Sequence, residues 1–138
     1  PGKLVPDERN VMDTHTLIGR RMVDEMINNF GFARLPYIAS LQAIVEYHHE
    51  TLDGGGYPHG LKGREIPIEA QIVAVSDIFD ALTTTRPYKG PWPNPHAIAM
   101  LQLLAIDKLD GDCVEILIDC QDEVASIQQR FAETEQAA

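Results

Sequence analysis

The chain has 138 residues, 44% hydrophobic and 23% charged, which is the balance of one globular domain able to bury a core without disulfide staples. Eleven Lys and Arg against twenty-one Asp and Glu leave a net charge of −10, which argues against sequence-independent binding to duplex nucleic acid or to an anionic membrane surface while leaving room for a local basic pocket. The longest apolar run, 97–101, falls far short of the roughly 20 residues that cross a bilayer, and no signal-like apolar core follows Pro1, so the cytoplasm is the expected compartment.

In chain order, helical periodicity covers 7–30 with a break near Thr14. Val11, His15, Ile18, Met22 and Met26 form its expected buried stripe. A stop at Asn28-Asn29-Phe30-Gly31 precedes a second helix after Pro36, with Ile38, Leu41, Val45 and His48 on one face. The stretch 51–66 has five glycines, one proline and no periodicity, so it reads as a long loop in which backbone conformation matters. Pro67 suits the first turn of a third helix. That helix carries Ile68, Ala70, Ile72, Val73, Ala74, Val75, Ile78, Phe79, Ala81 and Leu82, apolar on nearly all sides, and is expected to be central and buried. A second irregular stretch, 83–91, ends at Asn94-Pro95, a cap and first-position pair for a fourth helix to about 106.

Asp112 with Glu115 resembles a capping box for a fifth helix traced by Cys113, Leu117, Cys120, Val124, Ile127 and Phe131. The two cysteines, seven apart on one helix and so about 10.5 Å along its axis, cannot bridge and read as small core residues. The tail from Glu133 is expected to fray. No alternation supports a strand, and the fold class is all-α, about five helices in a bundle.

Chemistry concentrates at four residues. Asp77 lies in the most apolar helix, where an ionised carboxylate requires a partner. His48 and His49 end a second apolar helix, and His15 interrupts the stripe of the first. Histidines and a carboxylate on three helices are the ingredients of a metal site in a bundle core. Neighbouring helical residues point about 100° apart, so His48 and His49 are expected to serve two ions rather than one. Two ions a few ångströms apart would clamp the attacking and leaving oxygens of a phosphate ester. The plainer readings are a hydrogen-bonded core His15, a histidine pair favouring a helix dipole, and an Asp77 that caps or pairs with Arg86.

Charge is uneven along the chain. The segment 54–95 has four bases against four acids, whereas 105–138 has nine acids against two bases. Arg86 and Lys89, in the loop after the Asp77 helix, are therefore candidate phosphate contacts, the first as a planar fork and the second as a point charge; exposed surface bases are the plainer reading.

The ordered series His48-His49-Glu50, Asp53-Gly54-Gly55-Gly56-Tyr57-Pro58, Gly60-Leu61-Lys62-Gly63, Ile66-Pro67, Ser76-Asp77, Asp80-Ala81-Leu82-Thr83 and Arg86-Pro87-Tyr88-Lys89 resembles the HD-GYP family of bacterial signalling phosphodiesterases. The resemblance runs from Lys3-Leu4 to about Leu117 and implies the HD-superfamily helical fold. It further implies a centre of two or three divalent metals, iron or manganese, and hydrolysis of cyclic di-GMP to pGpG or GMP in signal transduction. By motif, His15, His48, His49 and Asp77 resemble metal ligands, with Asp77, His48 and His49 in the catalytic set. Tyr57 and Gly56 resemble the loop that shapes the substrate pocket, and Arg86 and Lys89 the phosphate-binding pair.

No His-Asp dipeptide occurs in these residues. The family's doublet and a nearby lysine would precede Pro1, so 1–132 is expected to be the C-terminal two-thirds to three-quarters of a domain, with 133–138 as its tail. The rival reading is a non-catalytic module that binds a nucleotide or a partner such as a diguanylate cyclase domain through the Gly-Tyr-Pro loop. A homodimer is compatible with either.

Overall fold

A computed structural model describes residues 11–85 and 90–136, with side chains through Phe131. Six α-helices and no strand occur among the described residues, so the class is all-α. They are α1 (His15–Phe30), α2 (Ile38–Tyr47), α3 (Ile68–Thr83), α4 (Asn94–Leu104), α5 (Gly111–Asp119) and α6 (Gln121–Gln136), with 3-10 turns at Phe32–Arg34 and Gly63–Glu65.

A short helical stretch at 11–13 ends in a turn at Thr14, whose hydroxyl donates to the Val11 carbonyl at 2.7 Å. This is the break expected near Thr14. Gly31, at φ 70°, closes α1 in the left-handed conformation that glycine adopts without cost.

The core lies between α3, α4 and α5. Ala74, Val75 and Phe79 pack with Ala97, Ile98, Leu101, Leu109 and Val114, and α2 covers α3 from the other side. Two expectations about burial are overturned here. Of the stripe expected to be buried, Val11 before α1 and Ile18, Met22 and Met26 on it are exposed, and His15 is not buried either; the buried residues are Thr16 and Ile27, with Gly19, Arg20 and Val23 half-buried between them. Close packing explains the rotation. A Cβ added at Gly19 would stand 2.8 Å from Val45 Cγ1, so the helix turns its smallest residue toward α2, and Arg20 reaches Glu46 across the same seam at 2.5 Å. On α2, Leu41 is likewise exposed while Ile38, Val45 and His48 are half-buried.

The third helix is central but not buried all round. Ala70, Ala74, Val75 and Phe79 face the core, whereas Ile68, Ile72, Ser76, Asp77 and Asp80 are exposed. Asp77 is thus a surface carboxylate rather than a desolvated one, because a 3.6-residue period still leaves a solvent face on an apolar run.

Further along, Asp110 rather than Asp112 caps α5, its carboxylate accepting from the Cys113 N–H at 2.9 Å. The expected fifth helix is two, parted at Cys120. Cys113 packs at the core edge, where burial pushes its thiol up to about 11, but Cys120 is exposed and is not a core residue. The last helix continues past Glu133 to Gln136. Among the described residues no helix is long and apolar enough to cross a membrane.

Candidate metal centre

Two elements bring three histidines together. His15 opens α1, and His48 and His49 follow the last residue of α2, in a turn rather than in the helix. One nitrogen from each of His15, His48 and His49 lies within 4.8 Å of the others. The ring centroids are 4.1 Å apart for His48 and His49, 5.0 Å for His15 and His49, and 5.6 Å for His15 and His48. The expected 100° splay of the adjacent pair is therefore absent. It presumed helical geometry through His49, and the helix stops at Tyr47.

Hydrogen bonds orient two of the rings. His15 Nδ1 lies 2.7 Å from the Met12 carbonyl and His48 Nδ1 lies 2.8 Å from the Ile44 carbonyl. A carbonyl only accepts, so each Nδ1 carries a proton, which leaves Nε2 as the nitrogen that could ligate. This is how imidazole ligands are held when the far nitrogen is anchored. Burial, followed by the neighbouring His48, lowers His49 to about 4, so its ring is neutral at pH 7. Asp77 and Asp13 oppose that shift, which brings both carboxylates into the electrostatic environment of the trio.

The donor set fits a divalent ion. Neutral imidazoles suit iron or zinc, and donors about 2 Å from a metal span roughly 4 Å when opposite, so small ring rotations would close the site. Asp77 is not among the converging ligand atoms. Asp13, two residues before His15, is the acidic neighbour that the spacing argument did not single out; its only signal was that adjacency.

The glycine-rich loop folds over this cluster. Tyr57 lies with its ring 4.8 Å from His49 and 6.3 Å from His15, and its N–H donates to the His49 carbonyl at 3.1 Å. Gly56 has no room for a side chain: an added Cβ would sit 2.5 Å from the His49 carbonyl oxygen and from Glu50 Cα. Asp53 accepts from Thr51 Oγ1 at 2.6 Å and the Gly55 N–H at 2.8 Å, and pairs with Lys108, so its carboxyl is held well below the usual range, chiefly by the Lys108 bond. Arg86 and Lys89 lie outside the described residues.

Residues 1–113 match the HD domain family. The chain belongs to that family. Its ordered motifs put it in the HD-GYP branch. This HD-GYP domain is 41% identical over 132 residues to the cyclic di-GMP phosphodiesterase response regulator RpfG of Xanthomonas campestris pv. campestris, covering 96% of the chain and 33% of that protein. It is 38% identical over 130 residues to a cyclic di-GMP phosphodiesterase of Thermotoga maritima, covering 94% and 33%. A 3'3'-cGAMP-specific phosphodiesterase 2 of Vibrio cholerae is 35% identical over 128 residues, covering 93% of the chain and 23% of that protein. The chain thus spans about a third of the length of the first two.

Proposed function

We propose that this HD-GYP domain is a metal-dependent phosphodiesterase of bacterial signalling that hydrolyses cyclic di-GMP to linear pGpG or GMP. The observation that carries the reading is the convergence of His15, His48 and His49 beneath Tyr57. The relatives named for cyclic di-GMP hydrolysis support the substrate, and a site so assembled favours an enzyme over a non-catalytic binding module.

A divalent ion, iron or manganese by family resemblance, supplies Lewis acidity toward the phosphodiester. The Nε2 atoms of His15 and His48 and a ring nitrogen of His49 would hold it, with Asp77 and Asp13 contributing negative charge beside it. Asp77, whose charge reaches the trio, would serve a second or third ion as its carboxylate ligand. Tyr57, with Gly56 drawn tight to the main chain, walls the pocket. Arg86 and Lys89 neutralise phosphate oxygens as charge accumulates during attack. Hydrolysis adds a water oxygen to phosphorus, breaks the bond to the sugar 3' oxygen and leaves the proton there.

The test is product chromatography on the intact domain after anaerobic loading with iron or manganese, with cyclic di-GMP and 3'3'-cGAMP offered separately. Release of pGpG or GMP from cyclic di-GMP is expected. Turnover of 3'3'-cGAMP alone would reassign the substrate within the cyclic dinucleotides, and turnover of neither would overturn the hydrolytic reading.

A further inference from the structure

Glu50 follows His49 directly and is only 3% exposed. A buried carboxylate is costly unless its oxygens are satisfied, and here they are satisfied by main chain alone among the hydrogen bonds it makes in the described structure. Oε1 accepts from the His59 N–H at 2.6 Å and Oε2 from the Leu61 N–H at 3.0 Å. Both amides belong to the strand of loop that leaves Tyr57. The loop is thereby fastened on both sides of Tyr57, by its own N–H to the His49 carbonyl before the ring and by Glu50 after it. The exposed imidazole of His59 adds a bond to Glu46 at 2.9 Å, on the helix that delivers His48 and His49.

We propose that Glu50 is a positioning residue: by holding the His59 and Leu61 amides, its carboxylate sets the Tyr57 ring over His49 and so fixes the shape of the cyclic dinucleotide pocket without touching substrate. Glutamine cannot replace it, because a carboxamide offers one oxygen to one amide and turns a second donor toward the other. Glutamate is required for its two acceptors, and the dependence is on the position of Tyr57 rather than on the metal ligands.

The kinetic arm of the test rests on the proposed hydrolysis; the structural arm does not. In the metal-free full-length chain, magnetisation transfer between the Tyr57 and His49 rings is expected in the wild type and lost in Glu50→Gln, with the manganese taken up on loading unchanged. KM for cyclic di-GMP should rise roughly tenfold, the equivalent of one hydrogen bond to a charged group, with kcat moved far less. In a Tyr57→Ala background Glu50→Gln should add nothing to KM, since it acts through that ring. Should Glu50→Gln fail to fold, His59→Pro removes one of the two donors and is expected to lose the ring contact, while His59→Ala keeps the amide and the contact. A wild type without turnover would defeat the hydrolytic reading and leave the ring contact to report on Glu50. Retention of the contact in Glu50→Gln or His59→Pro, or an additive double mutant, would overturn the positioning role.

Discussion

The two anchored histidines differ from the third in what the fold does for them. His15 and His48 have their tautomers set by carbonyls one turn back, while His49 has its charge state set by burial between its neighbours. Loss of either His48 or His49 to alanine should therefore lower the metal bound per chain, as measured by elemental analysis, with helical content retained. Arg86→Ala should leave metal content unchanged and weaken cyclic di-GMP binding by about 1.5 to 3 kcal/mol in titration calorimetry, the range for a hydrogen bond to a charged group. Arg86→Lys should recover part of this, since it restores the charge but not the planar fork. At Asp53 the folded carboxyl lies below its unfolded value of about 3.9, so the stabilisation is complete above that pH and is lost as pH falls through and below it. The melting temperature of Lys108→Met should accordingly fall less steeply with acid than that of the wild type. These residues were open to reading from the chain alone to unequal degrees. The histidines stood out because imidazoles on apolar periodicities need explaining, whereas Glu50 looked like any acid at a helix end until its burial was known.

The seam between α1 and α2 carries the geometry of the trio, because His15 opens one helix and the His48-His49 pair closes the other. Gly19→Ala would gain up to about 1 kcal/mol of helix propensity, but it would press a methyl against the stiff Val45 side chain at a cost of about 1 to 3 kcal/mol. Net destabilisation, with weakened metal binding, is the expected outcome of thermal melts paired with metal analysis. Helix positions were legible from periodicity and from Pro and Gly punctuation, including the break at Thr14. Their rotation was not. Hydrophobicity alone points to the Ile18-Met22-Met26 stripe as the inner face of α1, but helix approach at Gly19 and the Arg20 to Glu46 pair turn the Thr16 and Ile27 side inward. On α3 the same reasoning overestimated burial at Asp77, since an apolar run says little about which neighbour covers which side.

In the molecule as a whole, fully buried apolar side chains concentrate in α3, α4 and the entry to α5, whereas α1 contributes Ile27. Amide exchange should be slowest around Val75, Leu101 and Val114 and faster in α1 and α2, where packing is thinner. Truncating the fully buried Leu101 to alanine should cost about 2 to 5 kcal/mol in denaturant melts. The all-α class followed from the absence of alternation. The clustering of residues 33 positions apart in the chain could be inferred only through the family's ordered motifs, because no local pattern encodes it. That this cluster is a metal centre is tested most directly by an anomalous difference map from crystals of the manganese-loaded chain: a peak is expected about 2 Å from ring nitrogens of His15, His48 and His49 together, and metal bound elsewhere, or none at these rings, would contradict the assignment.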